Sequence, residues 1–239
     1  MGFDRIEAVS LTDQFVQKIE AMIISGELVP GDQLPPAREM SARRGVSRPV
    51  ISAGLVELEK MGFVEIVTRQ GVYVSDYRKN GSLDTLTALL NYNGGVMRDD
   101  EVRSLLEVRS ANECLCVKLV VERATQEELD GLAPLLDAIK SGKTDEERAE
   151  ATFQFHHTLS VLSRNAFLPL LYNSIHTYGL HFWSLYSRRH GGNRLYQNKL
   201  ERYCALLDRD AERAQAFTVD MLDSVANGAF SLYSDAQQQ

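Results

Sequence analysis

Residues 30–62 read PGDQLPPAREMSARRGVSRPVISAGLVELEKMG and decide the fold of the N-terminal part of the chain. Proline is tolerated in the first turn of a helix and glycine often ends one, which predicts a short helix from Pro36 to Gly45. Ser47 is a suitable N-cap for a second helix that runs through Met61. Two helices joined by so tight a turn indicate a helix–turn–helix.

The segments on both sides complete this pattern. Upstream, Ser10-Leu-Thr-Asp13 matches a capping box, and apolar residues follow at helical spacing as far as Ile23. Downstream, β-branched residues fill two short runs, 63–67 and 71–74, whose spacing predicts a β-hairpin. The sequence therefore predicts an α+β winged helix–turn–helix over residues 1–79.

The helix after Ser47 has two different faces. Its apolar stripe is expected in the core and consists of Ile51, Leu55 and Leu58, whereas Arg48, Pro49 and Ser52 are expected to face outward. The first residues of such a helix can reach base edges in the major groove, and its N-terminus favours a phosphate. Arg69 and Gly71 at the hairpin tip can approach the DNA backbone or minor groove, although Gly71 is equally explained as a turn glycine.

Charge is distributed unevenly along the chain. The formal net charge is −7, of which residues 1–79 carry about −1, so the protein does not coat nucleic acid over its whole surface. Nevertheless four arginines, Arg38, Arg43, Arg44 and Arg48, lie close together, with Glu39 as their one acidic neighbour. Taken alone, such a cluster is equally explained as a solvated helix face.

From residue 82 onward the pattern is helical and the β signals disappear. The apolar-periodic segments are 83–90, 99–119, 129–139 (opened by a capping box at Thr125), 149–162, 166–188, 195–207 and 211–233. About seven helices with short links predict an all-α bundle. We therefore expect a linker with a short helix over 80–97 and a helical-bundle effector and dimerisation domain over 98–239.

Composition narrows the class of protein. Apolar residues make up 44% of the chain and charged residues 25%, which are ordinary globular values. We find no long uncharged apolar run and no signal-peptide pattern, and the three cysteines contain no C-x-x-C motif. These features predict a cytoplasmic protein with reduced thiols and no membrane partner.

The N-terminal residues resemble the DNA-binding domain of the GntR family. The resemblance rests on the ordered motifs of residues 30–40, 45–50 and 55–62. It implies DNA contacts from Arg38 and Arg48 and from the other recognition-helix positions, which are Ser47, Pro49, Val50 and Ser52. Many relatives have arginine where this chain has Ser52, and a glycine where it has Arg69, so we expect the preferred operator to differ from the usual site of the family.

The C-terminal residues resemble the helical effector domain of the FadR-type branch of that family. The resemblance rests on four motifs in the expected order: residues 107–113, 155–159, 163–165 and 207–214. It implies a homodimer that binds a double-stranded, pseudo-palindromic DNA operator and a small-molecule effector. Whether the effector releases or promotes DNA binding, and whether the protein represses or activates, stays open, with repression the working expectation.

Most members of this branch hold a metal ion with one aspartate and three histidines. In this sequence the aspartate position is Thr152, one histidine is His156, and the other two positions fall near Lys199 and Met221. One ligand of four does not hold a divalent ion. We therefore expect no metal and no cofactor, with His156 either hydrogen-bonded in the core or touching the effector.

The resemblance includes a branch member that lacks the metal site and binds a long-chain acyl-CoA, which makes that thioester one candidate effector. The alternatives are a small organic acid or another acyl derivative. The residues expected to line the pocket are Arg109, His156, Tyr172, Tyr178, Met221 and Asp223. Arg109 could instead form an ion pair with Glu107 or Glu113 along its helix. An aromatic stretch is expected in core or dimer packing and consists of Tyr172, His176, Tyr178, His181, Phe182, Trp183 and Tyr186. Positions 172, 176, 179 and 183 are expected to share one helix face, which could line an apolar tunnel.

Two other classes of protein are weighed against a regulator. His156-His157 near Ser160 could suggest an enzyme, but consecutive helical residues point about 100° apart. No nucleophile elbow, P-loop or dinucleotide-binding motif occurs in the sequence. A ligand sensor that binds no DNA is the third interpretation, and Arg48→Ala discriminates between it and a regulator.

Overall fold

A computed structural model describes residues 10–92 and 99–226, and the chain divides into two units, Met1–Tyr92 and Asn93–Gln239. The N-terminal unit contains α1 (Leu11–Ile24), α2 (Ala37–Arg44), α3 (Arg48–Lys60), β1 (Val64–Val67), β2 (Gly71–Val74), α4 (Tyr77–Asn80) and α5 (Leu83–Asn91). This order of elements confirms the predicted winged helix–turn–helix.

The N-terminal core lies where α1 packs against α3. Phe15, Ile19, Ile51, Leu58 and Phe63 are all buried there. At the start of α1 the predicted capping box is present, because the Asp13 amide donates to Ser10 Oγ at 3.1 Å and the Ser10 amide to the Asp13 carboxylate at 3.3 Å. The apolar stripe predicted for the helix after Ser47 is confirmed.

Helix α5 belongs to the N-terminal unit. Ser82 and Thr85 form a capping box at its start, and the Thr85 hydroxyl donates to the backbone carbonyl of Met61, just after α3. Thr85 is buried, so this bond ties α5 to the winged helix. The helix expected within the linker 80–97 is thus a part of the first unit, and residues 93–98 lie outside the described residues.

Every secondary-structure element described in the C-terminal unit is a helix. Its helices are α6 (Asp99–Arg123), α7 (Gln126–Asp130), α8 (Ala133–Ser141), α9 (Asp145–Leu162), α10 (Leu168–Ser174), α11 (His176–His190), α12 (Gly192–Leu207) and α13 (Ala211–Ala226). The all-α prediction is confirmed. Among the described helices, none is long and apolar enough to cross a membrane.

Two predicted helices are each divided in the structure. The predicted segment 129–139 is part of α7 and part of α8, which meet at Gly131 and Leu132. Pro134 lies in the first turn of α8 and has no amide to continue the hydrogen bonds of α7. The predicted segment 166–188 breaks at Ile175, which has a non-helical φ of −104° and ψ of 14°.

Candidate functional site

The start of α3 presents its polar residues to solvent. Arg48, Pro49 and Ser52 are exposed, and Val50 is partly buried. Close packing on the opposite face holds the helix in place, because a side chain at Gly54 would collide with the ring of Phe15 on α1. Arg38 on α2 is also exposed, so the expected DNA-contacting side chains of α2 and α3 are accessible in the N-terminal unit.

Ser47 occupies the N-cap of α3, as predicted, but its side chain makes no capping hydrogen bond. An N-cap hydroxyl accepts from the second or third amide of the helix, and Pro49 at the second position has no amide to donate. Ser47 itself is exposed. The first turn therefore combines an exposed hydroxyl, an exposed guanidinium and a helix N-terminus, which together suit a phosphate oxygen.

The wing has an unusual residue at its tip. Arg69 is exposed and has a φ of 66°, in the left-handed region that favours glycine. Gly71 has a φ of 135°, and an added Cβ would lie 2.5 Å from the side-chain nitrogen Nε2 of Gln33. This nitrogen donates a hydrogen bond to the Gln70 carbonyl at 2.9 Å. The turn thus requires glycine at position 71. At position 69 the tip carries an arginine, although the backbone there has a φ that favours glycine.

A buried charge cluster occupies the C-terminal unit. Arg109 donates to Glu113 Oε1 from Nη2 at 2.8 Å and from Nε at 3.2 Å. Arg202 Nη2 lies 2.7 Å from Glu113 Oε2 as an ion pair that lacks hydrogen-bond alignment. Arg202 is 0% exposed, Glu113 2% and Arg109 7%. The Arg109–Glu113 pair that the sequence left as an alternative is present, and Arg202 shares the same carboxylate.

His156 contributes a donor to this cluster. Its Nδ1 lies 3.2 Å from Arg202 Nη1, and since guanidinium nitrogens only donate, Nδ1 must accept. The proton of neutral His156 is thereby assigned to Nε2, which is buried without a hydrogen-bond partner among the described residues. Burial lowers the pKa of His156 well below its usual value, and the neighbouring Lys199 lowers it further.

Lys199 is the fifth member of the cluster and is 2% exposed. Burial lowers the pKa of Lys199 well below its usual value, and Arg202 adds to the shift. Burial would raise the pKa of Glu113, but Arg202 and Arg109 outweigh it and hold that pKa well below its usual range. The carboxylate is thus ionised, while the protonated ammonium of Lys199 is disfavoured.

Aromatic rings enclose the cluster. Trp183 stacks on His156 with ring centroids 5.1 Å apart, and Tyr172 stacks on His156 at 6.1 Å. The guanidinium of Arg109 lies 4.7 Å from the centroid of Phe182 and 5.6 Å from that of Trp183. These cation–π contacts supply favourable electrostatics where water is excluded.

The face expected at positions 172, 176, 179 and 183 does not lie on one helix, because the helix is interrupted at Ile175. The ring of Trp183 covers Gly179, where an added Cβ would lie 2.9 Å from it. The positions predicted to line a tunnel are therefore filled at this point by the protein's own side chains.

The structure brings together four of the six residues expected at the effector pocket. Arg109, His156 and Tyr172 belong to the cluster, and Tyr178 is buried beside Phe182, with ring centroids 6.0 Å apart. On α13, in contrast, Met221 is partly buried and Asp223 is exposed. Asp223 therefore does not reach this interior, because the buried side of α13 is formed by its neighbours.

Sequence reasoning did not place Lys199 or Arg202 at the site, and it named Glu113 only as a possible ion-pair partner of Arg109. A signal was present in α12, whose buried face includes Leu195, Asn198, Lys199, Arg202 and Ala205. Three polar residues thus sit at the helical spacing of a core stripe. Charged residues at such positions are buried only when they are paired or serve a ligand.

The residues at the expected metal position do not fit a metal ion. Thr152 is buried, but its hydroxyl donates to the Arg148 carbonyl at 2.7 Å. His156 carries its assigned proton on Nε2, and the guanidinium of Arg202, 3.2 Å from His156 Nδ1, would repel a cation. Within residues 10–92 and 99–226, no group of three or more His, Cys, Asp or Glu side chains could hold a metal.

One chain thus combines a recognition helix with an exposed start and a helical unit with a buried polar cluster. This combination is typical of transcriptional regulators that bind both DNA and an effector. Comparisons with known families give the particular assignment. Residues 11–74 match the model for bacterial regulatory proteins of the gntR family, and residues 104–224 match the FCD domain. The chain belongs to the GntR family and carries the FCD effector domain.

Named relatives agree with this assignment. The HTH-type transcriptional regulator LutR of Bacillus subtilis is 30% identical over 212 residues, which cover 85% of this chain and 94% of LutR. The HTH-type transcriptional repressor NanR of Klebsiella aerogenes is 25% identical over 231 residues, covering 90% and 84%. Both relatives are named as regulators rather than as enzymes.

The fold also resembles a solved structure. Lar, which controls the expression of the Listeria monocytogenes agr system, matches with a TM-score of 0.60 at 16% identity, and the match covers 92% of this chain and 96% of Lar. At this identity the likeness concerns the fold alone.

Proposed function

We propose that this chain is a dimeric cytoplasmic regulator, acting as a repressor, that binds a pseudo-palindromic operator and loses affinity for it when an organic acid binds in the C-terminal unit. The observation that carries the DNA-binding part is the exposed start of α3, held by a fully buried stripe. Arg48, Pro49, Val50 and Ser52 face the bases, while Arg38 and Ser47 contact phosphates. Arg69 and Gly71 bring the wing to the backbone.

The charge cluster favours an organic acid over a long-chain acyl-CoA as the effector. The acyl chain and thioester of an acyl-CoA are neutral and its charge lies on the phosphates of coenzyme A, whereas a small organic acid carries a carboxylate that matches the guanidinium groups of Arg109 and Arg202 in charge and geometry. Trp183 and Tyr172 stack on His156, so two of the positions expected to line an apolar tunnel are packed against the cluster. The same cluster needs no metal or other cofactor.

Fluorescence anisotropy of a labelled duplex from the gene's own upstream region tests the proposal. We expect tight, salt-sensitive binding, because phosphate contacts release counterions. Addition of organic acids should release the duplex and addition of a long-chain acyl-CoA should not. Release by acyl-CoA alone would reverse the choice of effector.

Arg48→Ala provides the discriminating variant, with Lys60→Ala as its control. Both residues are exposed cations on α3, at opposite ends of the helix. Loss of operator binding in Arg48→Ala, with Lys60→Ala unaffected, supports the regulator. Equal binding by the two variants and the unchanged protein would favour a sensor that does not use α3 to bind DNA.

A further inference from the structure

The buried cluster holds more positive charge than its own residues neutralise. Glu113 is shared by Arg109 and Arg202, which leaves one guanidinium charge in excess even when His156 and Lys199 are neutral. Among the described residues Lys199 forms no ion pair, although it is almost completely buried. Buried charge is costly unless it is compensated. An anionic ligand would therefore compensate the excess positive charge of the cluster.

The hydrogen bonds of the cluster lead to the same conclusion by a separate route. Arg202 Nε and His156 Nε2 are buried and have no partner in the part of the chain that the structure describes. Arginine Nε is always a donor, and the assigned tautomer makes His156 Nε2 a donor too. Lys199 adds N–H donors in either protonation state. The unpartnered donors of the cluster thus outnumber its one unpartnered carboxylate oxygen, Glu113 Oε2.

We propose that Lys199 binds the carboxylate of the effector directly, without a metal ion between them, and with Arg202 one turn away on α12. The inference rests on the proposed function and names the group that receives the acid. Glu113 remains the internal counter-ion that keeps Arg109 and Arg202 in place.

The chain carries its own reporter for this contact. Trp183 is the only tryptophan in the sequence. Its ring stacks on His156, and Lys199 Nζ lies 6.0 Å from its centroid. An anion beside Lys199 therefore changes the environment of Trp183, and tryptophan fluorescence follows binding without a label.

The experiment titrates the full-length protein with acetate, the simplest carboxylate probe, and with acetamide, its neutral counterpart, at constant ionic strength. We expect a saturable fluorescence change with acetate, no change with acetamide, and no effect of EDTA. Lys199→Met should weaken acetate binding at least about tenfold, the loss of one charge-assisted contact. Lys118→Met, which removes an exposed lysine on α6 that lies 4.0 Å from Glu122, should leave binding unchanged.

Four results would overturn the inference: no response to acetate, equal responses to acetate and acetamide, loss of the response in EDTA, or equal acetate affinity in Lys199→Met and Lys118→Met. Operator binding separates its failure from failure of the proposed function. If acids still release the operator from Lys199→Met, Lys199 is not the receptor and the regulator stands. If acetate binds but no acid changes operator affinity, the carboxylate site stands and the proposed regulation fails.

Discussion

Arg48 and Arg202 show two different uses of the same side chain. Arg48 is exposed at the start of α3 in the N-terminal unit, where water solvates its charge. Arg202 is completely buried on α12, where Glu113, at 2.7 Å, supplies the opposite charge. An exposed arginine is available to a large polyanion at little cost in stability, whereas a buried one must be compensated at all times. Surface cations therefore suit DNA, and interior cations suit a small anion.

Removing the shared counter-ion is expected to have the largest effect. Glu113→Gln leaves Arg109 and Arg202 buried without a carboxylate, which should lower the free energy of unfolding of the C-terminal unit by about 3–5 kcal/mol. Chemical denaturation followed by Trp183 fluorescence measures this. Glu107→Gln changes an exposed glutamate on the same helix and should have little effect. Equal stability of the two variants would show that the interior charges are not coupled.

Removing surface cations should change DNA binding and leave folding intact. Arg48→Ala should cost about 1–3 kcal/mol of operator affinity and relax the preference for one base, as expected for a base contact. Arg38→Ala should weaken binding to all sequences alike and reduce the salt slope by about one, as expected for a phosphate contact. Anisotropy titrations at several salt concentrations measure both quantities. An unchanged salt slope in Arg38→Ala would contradict its assignment to a phosphate.

Lys199→Met should raise stability while it weakens acid binding. Replacing an uncompensated buried lysine by an apolar side chain relieves its desolvation, and about 1–2 kcal/mol is a typical gain. Because folding lowers the pKa of Lys199, the unfolded chain binds more protons, so the wild-type protein should become more stable as the pH rises towards about 10.4, the lysine value in unfolded chains. Denaturation of both proteins over this pH range tests the sign. A variant that is less stable than wild type at neutral pH would mean that Lys199 is already paired.

The wing offers the smallest expected effect. Arg69→Gly removes a cation from the tip and also relieves a positive φ, which costs a non-glycine residue about 1–2 kcal/mol. Added freedom of glycine in the unfolded chain offsets most of this gain. Operator affinity should fall several-fold with the melting temperature nearly unchanged. Arg78→Ala, at an exposed arginine of α4, is the control, and an equal loss in both variants would exclude a specific role for the tip.

Local patterns predicted the N-terminal unit well, because its signals lie close together in sequence. The capping residue Ser10, the stripe of Ile51 and Leu58, and the turn at Gly71 each act on neighbours within a few residues. The capping box at Thr125 is another local signal that the structure confirms, with the Thr125 amide donating to Glu128 at 2.8 Å. Helix type and position followed from such signals.

The buried cluster could not be predicted in the same way. Glu113, His156 and Arg202 come from three different helices, and no short-range pattern states that their side chains meet. The divisions at Ile175 and Gly131 were missed because apolar periodicity continues across each of them. Packing of separate helices decides such features, and helical spacing alone does not encode it.

The hydrogen bond between Thr85 and the carbonyl of Met61 has a practical consequence for recombining domains. A chimaera joined after Lys79 would separate α5 from the winged helix and leave that carbonyl without its donor. A junction placed after Tyr92 would transfer α1–α5 as one piece. Exchange of C-terminal domains between relatives should therefore succeed more often at the junction after Tyr92, which is the boundary between the two units.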